Sequence, residues 1–508
     1  VGLLLLVIAC INYTILSTSL ALSRSNEVGM RKVVGATRSM LIGQFLAEST
    51  IVALISVVLG IVLAALFLPF FNQLTNISLS LTPVFMPESL LLLLGLVILV
   101  GLCSGSYPAF YLSSFDPQDV LSGRQTSGRR AGVIRTALVV IQFAIACFLI
   151  ISTLIVSDQL NFMRTKDLGF NDENIVAWAM KDSASFANKD YFIDEMGRNP
   201  DIAGFTRVSN LPVGNTGRLV HYVDLGEGFV EKPVNYAIAW YNYIDFMEMK
   251  LLAGQGWDST SSGAVDRRCI VNRALAEDFG WGVDSAIGKI IRRGQPDNPG
   301  FVEMEIGGVV ENFNYNSLHN PVEPILFINF ERVPVFLVRY REGKRNAVVT
   351  FLEERWDNTN SIFPFDPVFL NETIDEMYIP EKRTASAFGV LSLISLFVAV
   401  LGLFGLASHT INRRRREIAI RKVLGATPMS IAMMFGREFA VRVLIANVIA
   451  WPFAWYAMNR WLENFAFRVS PGLSSFLIAL VASTLVAKAT VMIQSTNSAR
   501  MSPKSALE

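Results

Sequence analysis

Long apolar runs separated by short polar and basic stretches occupy both ends of this 508-residue chain. A helix needs roughly 20 apolar residues to cross a hydrocarbon core about 30 Å thick. Seven runs approach that length, at residues 1–22, 49–71, 89–115, 136–157, 385–408, 441–459 and 473–493. The pattern therefore predicts an integral membrane α-helical bundle of seven transmembrane helices.

The middle of the chain has a different pattern, in which short alternating runs are broken by turn residues. Strands are predicted at residues 174–180, 218–223, 234–241, 268–271, 302–310, 324–329 and 335–340. Helices are predicted at residues 272–279, 345–356 and 372–382, the last of them continuing into the fifth span. We expect a mixed α+β domain between two membrane helices.

Basic residues collect in four stretches, which share one side of the membrane once the spans are counted. They are Arg24, Arg31, Lys32 and Arg38; Arg124, Arg129, Arg130 and Arg135; Arg413 to Arg416 with Arg421 and Lys422; and Arg500 with Lys504. Because loops rich in lysine and arginine face the cytosol, the α+β domain is expected to be extracytoplasmic.

These patterns divide the chain into ten segments. They are a helix (1–22), a cytosolic elbow (23–48), two helices (49–115), a cytosolic linker (116–135), a helix (136–157), the outer domain (158–384), a helix (385–408), a second elbow (409–440), two helices (441–493) and a cytosolic tail (494–508).

An internal repeat relates the two elbows. Residues 27–37 read EVGMRKVVGAT and residues 417–427 read EIAIRKVLGAT, and the same offset pairs Phe45 with Phe435 and Glu48 with Glu438. If the two units match throughout, roughly 255 residues precede Val1 in a longer protein with eight spanning helices and two outer domains.

Each copy is patterned as a short helix, a bend and a second helix. Glu27 and Arg31 are four residues apart, in the favourable order for a helix. Gly35 can adopt the left-handed conformation that ends a helix, and Thr37 can cap the next one. The candidate coupling residues are Glu27, Arg31, Lys32, Gly35, Ala36, Thr37, Glu417, Arg421, Lys422, Gly425, Ala426 and Thr427.

Two interpretations of these elbows are open. The basic residues can be interface anchors that follow the positive-inside tendency, and the run Arg413 to Arg416 is best explained as solvated or lipid-facing. Charge alone, however, does not require the same Glu, Gly, Ala and Thr at fixed spacing in both copies. We therefore expect a duplicated docking element for a cytosolic partner.

Composition narrows the possible functions. The chain is 52% hydrophobic and 17% charged, as expected for an integral membrane protein, and its net charge of +1 argues against a nucleic-acid binder. Its four cysteines, Cys10, Cys103, Cys147 and Cys269, form no disulfide framework or zinc-ligand spacing.

Sequence motifs for catalysis or metal binding are not found, so no catalytic or metal residues are predicted. Residues 282–290 resemble a phosphate loop but have the wrong spacing, and a turn between a helix and a strand explains them better. His221, His319 and His409 are scattered. Asn314 and Tyr315, near His319, can contact a ligand or simply complete a loop. Arg442 and Lys488 are interpreted as interface residues, and Glu48 and Glu438 as residues that cap or pair with elbow residues, although the two glutamates can also mark a proton path.

The elbow sequences resemble the cytosolic signature of the FtsX-like permease family, the membrane subunits of MacB-type ABC transporters. Two stretches of the insert, RRCIVNRALAEDFGWGVDSAIGKII and IGGVVENFNYNSLHNPVEPILF, are similar to the MacB-type periplasmic core domain. The tail NSARMSPKSALE departs from SSFDPQDVLSGR, at the similar position of the first unit. The three matching blocks occur in the family's order, and the resemblance extends over essentially the whole chain.

The resemblance implies a permease in the bacterial inner membrane whose elbows dock on a separate cytosolic ABC ATPase. ATP is then bound by that partner, and the chain is not an enzyme and has no cofactor of its own. Further implied partners are membrane lipids and periplasmic or outer-envelope proteins, with no nucleic acid. The alternatives are an ATP-independent sensor or scaffold and, ranked last, a proton-coupled transporter.

Overall fold

The structure is a computed structural model in which the described residues form two compact units. It describes residues 2–21, 25–75, 78–113, 128–214, 216–226, 228–258, 267–294 and 301–499. The membrane unit comprises residues 1–158, 382–462 and 470–508, and the outer unit comprises residues 159–381 and 463–469.

The long elements of the membrane unit are α-helices in its described residues, and turns and loops connect them. Its helices are α1 (Gly2–Ala21), α2 (Ser25–Val33), α3 (Arg38–Thr75), α4 (Pro87–Ser113), α5 (Gly128–Thr165, which continues into the outer unit), α12 (Ile379–Arg413), α13 (Arg415–Val423), α14 (Pro428–Leu462) and α15 (Leu473–Ala499). Six of them are long and apolar enough to cross a membrane, and Gly2–Thr18 of α1 is a shorter apolar helix. The expected bundle is confirmed, and α1, with 20 residues, is the shortest of the seven helices that contain the predicted spans.

Small residues bring α3 and α4 together. A Cβ atom added at Gly101 would lie 2.6 Å from the Thr50 hydroxyl oxygen, and one at Gly105 would lie 2.5 Å from that of Ser49. Gly101 and Gly105 are four residues apart, so they present one smooth strip on which a neighbouring helix packs closely. This contact joins the two helices that follow the first elbow.

Apolar side chains from several helices form the buried core of the membrane unit. Ile15 of α1, Phe143 of α5, Leu403 of α12 and Phe435 of α14 belong to one cluster and are almost fully buried. The helix α14 continues through Pro452. A spanning helix tolerates a proline when neighbouring groups bond the carbonyl that the missing N–H leaves free.

The described residues of the outer unit form an 11-stranded mixed sheet. Its strands are β1 (Ile175–Ala179), β2 (Ile202–Val208), β3 (Gly217–Asp224), β4 (Phe229–Ala239), β5 (Leu251–Gly254), β6 (Arg268–Asn272), β7 (Ile290–Arg293), β8 (Val302–Val310), β9 (Ile325–Asn329), β10 (Val335–Tyr340) and β11 (Val368–Phe369). Its helices are α6 (Ser183–Ala187), α7 (Lys189–Arg198), α8 (Tyr243–Phe246), α9 (Arg273–Asp278), α10 (Arg345–Trp356) and α11 (Leu370–Glu376). The α+β class of this domain is confirmed.

Six strands of the sheet close into a ring. The pairings run β4–β3–β7–β8–β6–β9, and β9 returns to β4 as a parallel neighbour with Asn235 opposite Ile325. Val223, Ile291 and Ile306 lie in the apolar cluster to which these strands contribute. The remaining strands extend the sheet from β4 through β2, β10 and β1 to β11, with β5 beside β8.

An aromatic core covers the extension of the sheet. Trp178 of β1 stacks on Phe336 of β10 with ring centroids 5.1 Å apart, and Phe192 of α7 and Trp356 of α10 belong to the same cluster. Since β1 and β10 are buried and paired in register, these rings fix how the two helices pack on the sheet.

The observed elements differ from the predicted ones in three respects. The strands β2, β5, β7 and β11 and the helices α6, α7 and α8 were not predicted, and β4 covers Phe229–Ala239 instead of residues 234–241. The predicted helix 372–382 is wrong as one continuous helix, because α11 ends at Glu376 and α12 begins at Ile379. Pro380 explains the interruption, since it has no N–H to bond the carbonyl of Glu376.

The turn between α14 and α15 packs with the outer unit. The side-chain amide of Gln159 donates to the carbonyl of Phe467 at 2.9 Å, and its oxygen accepts from the N–H of Val469 at 2.8 Å. The N–H groups of Ala466 and Phe467 donate to the carbonyls of His319 and Leu318.

Candidate functional site: two matched elbows

The two elbows have the same backbone design. The helices α2 and α13 are both nine residues long and occupy equivalent positions 390 residues apart. Each ends in a bend of a few residues, after which α3 or α14 begins. Each elbow is therefore covalently continuous with a long membrane helix.

A left-handed glycine ends each elbow helix. Gly35 has φ +106° and Gly425 has φ +93°, a conformation that side chains with a Cβ adopt at a cost. In the first elbow the N–H of Ala36 donates to the carbonyl of Arg31 at 2.9 Å, and the N–H of Gly35 donates to that of Lys32 at 3.1 Å. These two bonds form a Schellman motif, and the predicted glycine bend is confirmed.

The second elbow repeats these bonds. Ala426 donates to Arg421 at 2.9 Å and Gly425 donates to Lys422 at 3.1 Å. The hydroxyl oxygen of Thr427 then accepts from the N–H of Ser430 at 3.2 Å, which caps α14. Hydrogen bonds at the end of α13 and at the start of α14 therefore hold the two helices at a defined angle.

The corresponding threonine also caps α3. The hydroxyl oxygen of Thr37 accepts from the N–H of Met40 at 3.4 Å, a longer contact than its counterpart. Pro428 is the first residue of α14, where its missing N–H costs nothing, while Arg38 is the first residue of α3.

Matched ion pairs lie along both elbow helices. Arg31 bonds Glu27 at 2.7 Å, and Arg421 bonds Glu417 at 2.7 Å. All four side chains are about half exposed, so each pair contributes roughly 0.5 kcal/mol or less. Their main effect is to orient the arginines.

Each of these arginines also reaches the next long helix. The second guanidinium nitrogen of Arg31 bonds Gln44 at 2.8 Å, and that of Arg421 contacts the sulfur of Met434 at 2.7 Å. Gln44 and Met434 are equivalent positions in the repeat. The arginine therefore braces the elbow helix against the membrane helix in both copies.

Apolar side chains project from the outer faces of the elbows. The first elbow patch consists of Met30, Val33 and Val34, and the second elbow patch of Ile420, Val423 and Leu424, at equivalent positions. Val34 is 87% exposed and Leu424 is 80% exposed, whereas Val28 and Ile418 on the opposite face are buried. Exposed apolar patches of this kind commonly mark contact surfaces.

Lys32 and Arg38 hold the first elbow against α4. The ammonium of Lys32 donates to the carbonyl of Ser113 at 2.7 Å, and the guanidinium of Arg38 contacts the Ser113 hydroxyl at 3.4 Å. Lys32 is a candidate coupling residue, and its ammonium group already donates a hydrogen bond within the chain.

The expected pairing of Glu438 with an elbow residue is confirmed, and Glu438 is the centre of an ion-pair cluster. Its carboxylate bonds Arg414 at 3.2 Å and Arg442 at 2.6 Å. Arg414 is thus paired, which is a correction to its interpretation as part of a solvated or lipid-facing run. In the first copy Glu48 accepts from Gln44 at 3.1 Å, and Val52 stands where the second copy has Arg442.

The weaker candidates have structural explanations. Residues 282–290 connect α9 to β7 as a turn in the outer unit. Tyr315 is buried, accepts from the Asn235 amide at 3.0 Å, and has its pKa raised by burial. His221 is buried and bonds the carbonyl of Leu219 at 3.1 Å, and burial lowers its pKa.

His319 also bonds within the outer unit. Its Nδ1 lies 2.8 Å from the Ser317 hydroxyl and its Nε2 lies 3.2 Å from Glu381. In the described part of the chain no group of acidic, histidine and cysteine side chains is arranged to hold a metal ion.

Some predicted residues fall outside the description. Arg24, Arg124, Arg500 and Lys504 lie outside the described residues, as do the side chains of Arg129, Arg130, His409, Arg413, Arg415 and Arg416.

Comparison with known proteins links both elbow regions to one family. Residues 1–117 and 389–503 match the model of the FtsX-like permease C-terminal family. Each matched segment contains one elbow and the membrane helices around it, as the repeat in the sequence had indicated.

Curated relatives include the macrolide export ATP-binding/permease protein MacB of several bacteria. MacB of Bdellovibrio bacteriovorus is 37% identical over 98 residues, which cover 19% of this chain and 14% of MacB. MacB of Acinetobacter baylyi is 22% identical over 278 residues, which cover 52% of this chain and 41% of MacB. The matches therefore span less than half of the length of these relatives.

Among solved structures, the periplasmic region of MacB from Actinobacillus actinomycetemcomitans aligns with 42% of this chain and 96% of its own length. The sequence identity is 12% and the TM-score is 0.30. This score is too low to support an argument about fold or function.

Proposed function

Two segments of this chain belong to the FtsX-like permease family, and from that premise we propose that the chain works as the transmembrane part of a MacB-type ABC transporter. The predicted location, a multi-pass protein of the bacterial inner membrane with a large periplasmic domain, is confirmed by the family match. The elbows would dock on an ABC ATPase, and its ATP-driven closure would move the membrane helices and the outer domain.

The observation that carries this proposal is the matched exposure of the two elbow patches. Equivalent apolar side chains project on both elbows, while the opposite faces are buried against the membrane unit. A partner surface that presents two similar sites, such as a pair of ATPase domains, fits a duplicated patch. The bends at Gly35 and Gly425 would transmit force, because each joins an elbow patch to a long helix and is held by two backbone hydrogen bonds.

The nucleotide-hydrolysing part is expected outside this sequence. The motif that cradles ATP phosphates is not found between Val1 and Glu508. The related MacB proteins carry the name ATP-binding/permease. We propose a separate ATPase subunit here, as the sequence analysis predicted.

The test is recovery of the ATPase with the membrane protein. The chain would be tagged in its own host, purified in mild detergent, and the amount of copurified ABC ATPase and its hydrolysis rate measured. Replacing Leu424→Glu places a charge in the second elbow patch, and we expect recovery to fall by about tenfold, as for a central interface side chain. Ile362→Glu is the control, since Ile362 is 84% exposed but lies in the outer unit.

Three results would count against the proposal. If the unaltered protein brings down no ABC ATPase, an ATP-independent sensor or scaffold becomes the better explanation. If Leu424→Glu retains full recovery and full coupled activity, the elbow patches are not the docking surface. If Ile362→Glu lowers recovery equally, the effect is a general loss of folding.

A further inference from the structure

A groove lies between the cytosolic ends of three helices of the membrane unit. It has a volume of about 870 Å³ and is formed by the start of α5, the end of α12 and the first half of α14. These segments are far apart in the sequence, so no local motif reveals the groove.

Arginine side chains dominate the polar end of the groove. Arg135, Arg414 and Arg442 line it together with Glu438, which leaves an excess of two positive charges among its described lining residues. Glu438 already bonds both Arg414 and Arg442. Glu438 is the acidic side chain among these described lining residues.

Arg442 has hydrogen-bonding capacity that the described residues do not use. One of its terminal guanidinium nitrogens bonds Glu438 at 2.6 Å, whereas the other is buried and has no hydrogen-bond partner there. A buried charged donor without an acceptor costs free energy, so this nitrogen favours an oxygen ligand such as a phosphate.

The remainder of the groove is apolar. Ile445 and Ile449 follow Arg442 on successive turns of α14, and Val140 and Ile141 follow Arg135 on α5. On both helices the lining changes from arginine to aliphatic side chains in the direction that leads from the cytosolic surface into the bilayer. A phospholipid has a matching arrangement, with a charged headgroup at one end and hydrocarbon chains at the other.

The second copy alone has the arginine in the membrane helix. The position equivalent to Arg442 in the first copy is Val52, although Glu48 and Glu438 correspond. An arginine present only to anchor a helix at the interface would be equally useful in both copies. Its presence beside the groove indicates a local ligand.

We propose that this groove binds one anionic phospholipid of the cytosolic leaflet. Its phosphate would contact Arg442 and the neighbouring arginines, and an acyl chain would lie along Ile445 and Ile449. Basic pockets between membrane helices on the cytoplasmic side are suited to such headgroups. The bound lipid would bridge α5 with α12 and α14, beside the second elbow.

Native mass spectrometry of the purified full chain tests the proposal. Phosphatidylglycerol and phosphatidylcholine would be titrated separately, and inorganic phosphate would be added as a competitor. We expect phosphatidylglycerol to bind in preference, and Arg442→Gln or Arg414→Gln to weaken it by about fivefold each. Arg437→Gln is the matched control, because Arg437 is exposed on the same helix and does not line the groove.

A variant that strengthens binding separates the proposal from misfolding. Glu438→Gln removes the negative charge found among the described lining residues of the groove, so phosphatidylglycerol should bind more tightly than to the unaltered chain. Equal binding of phosphatidylcholine, an Arg437→Gln effect as large as that of Arg442→Gln, or unchanged binding in Glu438→Gln would overturn the proposal. Full displacement of lipid by inorganic phosphate would show a free-phosphate site instead.

Discussion

Asp182 shows how one side chain joins two segments of the outer unit. One carboxylate oxygen accepts from the N–H of Ser185 at 2.8 Å and caps α6, and the other accepts from Ser361 and from the N–H of Ile362 at 3.0 and 3.1 Å. Hydrogen bonds from Ser185 first, and then from Ile362 and Ser361, favour the ionised form and lower the pKa of Asp182 to about 2.

The pH dependence of this interaction follows from the direction of the shift. Because the folded pKa lies below the ordinary value of 3.8, the stabilisation is fully present above that value and is lost as the pH falls through about 2. We expect Asp182→Asn to lower the melting temperature of the outer unit at neutral pH, with the two curves converging in acid. Tryptophan fluorescence at a series of pH values measures this.

The control for this measurement is Asp194→Asn on α7. Asp194 is exposed and makes no bond to the 361–362 loop in the structure. It should shift the melting temperature little at any of these pH values. A difference between Asp182→Asn and the unaltered chain that stays constant down to pH about 2 would contradict the assigned role.

At the scale of elements, the glycine bend sets the direction in which each elbow leaves its membrane helix. Gly425 has φ +93° with open space around a Cβ, so a substitution there is limited by backbone strain and not by crowding. Gly436 on α14 has similarly open space but no positive φ. The two glycines therefore separate the effect of the bend from that of losing a glycine.

Gly425→Ala should destabilise the bend by about 1–2 kcal/mol, the usual cost of a left-handed alanine. We expect amide hydrogen exchange in α13 to become about 5- to 30-fold faster. Gly436→Ala should leave that exchange unchanged, since alanine is favoured within a helix. Equal exchange in both variants would show that the left-handed turn does not hold the elbow.

Local patterns predicted the elbows well but not the arginine groove. Gly35 and Gly425 end helices through bonds to residues three to five positions earlier, so their role is visible in a short sequence window. Arg135 lies on α5, Arg442 on α14 and Arg414 between α12 and α13, and only the packed bundle brings them to one groove. The interpretation of Arg414 as part of a solvated or lipid-facing run missed its ion pair with Glu438 for that reason.

Strands show the same limit. The predicted strand Val335–Tyr340 begins with four consecutive apolar residues, and its residues other than Arg339 are buried. By contrast, β7 is four residues long, ends in Arg292 and Arg293, and becomes a strand because β3 and β8 pair with its two edges. Because its hydrogen-bonding partners are distant in sequence, the four residues of β7 alone do not predict a strand.

At the scale of the whole chain, the outer unit is assembled from two separate segments. Residues 159–381 form its body, and residues 463–469 join it through Gln159 and the 318–319 loop. The chain therefore passes from the membrane unit into the outer unit twice. With the spans as predicted, both passages must occur on the side opposite the elbows.

This topology predicts a difference in labelling between Ile362→Cys and Leu424→Cys, two sites that are 84% and 80% exposed. Cys10 and Cys103 would first be replaced by alanine, while Cys147 and Cys269 are buried and can remain. A membrane-impermeant maleimide should label Ile362→Cys in intact spheroplasts, and Leu424→Cys only after permeabilisation.

Only α12 crosses the bilayer between these two sites, so they should lie on opposite sides of the membrane. Labelling of both sites in intact spheroplasts would require an even number of crossings between them. That result would rule out a cytosolic docking role for the second elbow. The parent protein without added cysteines gives the background that both signals must exceed.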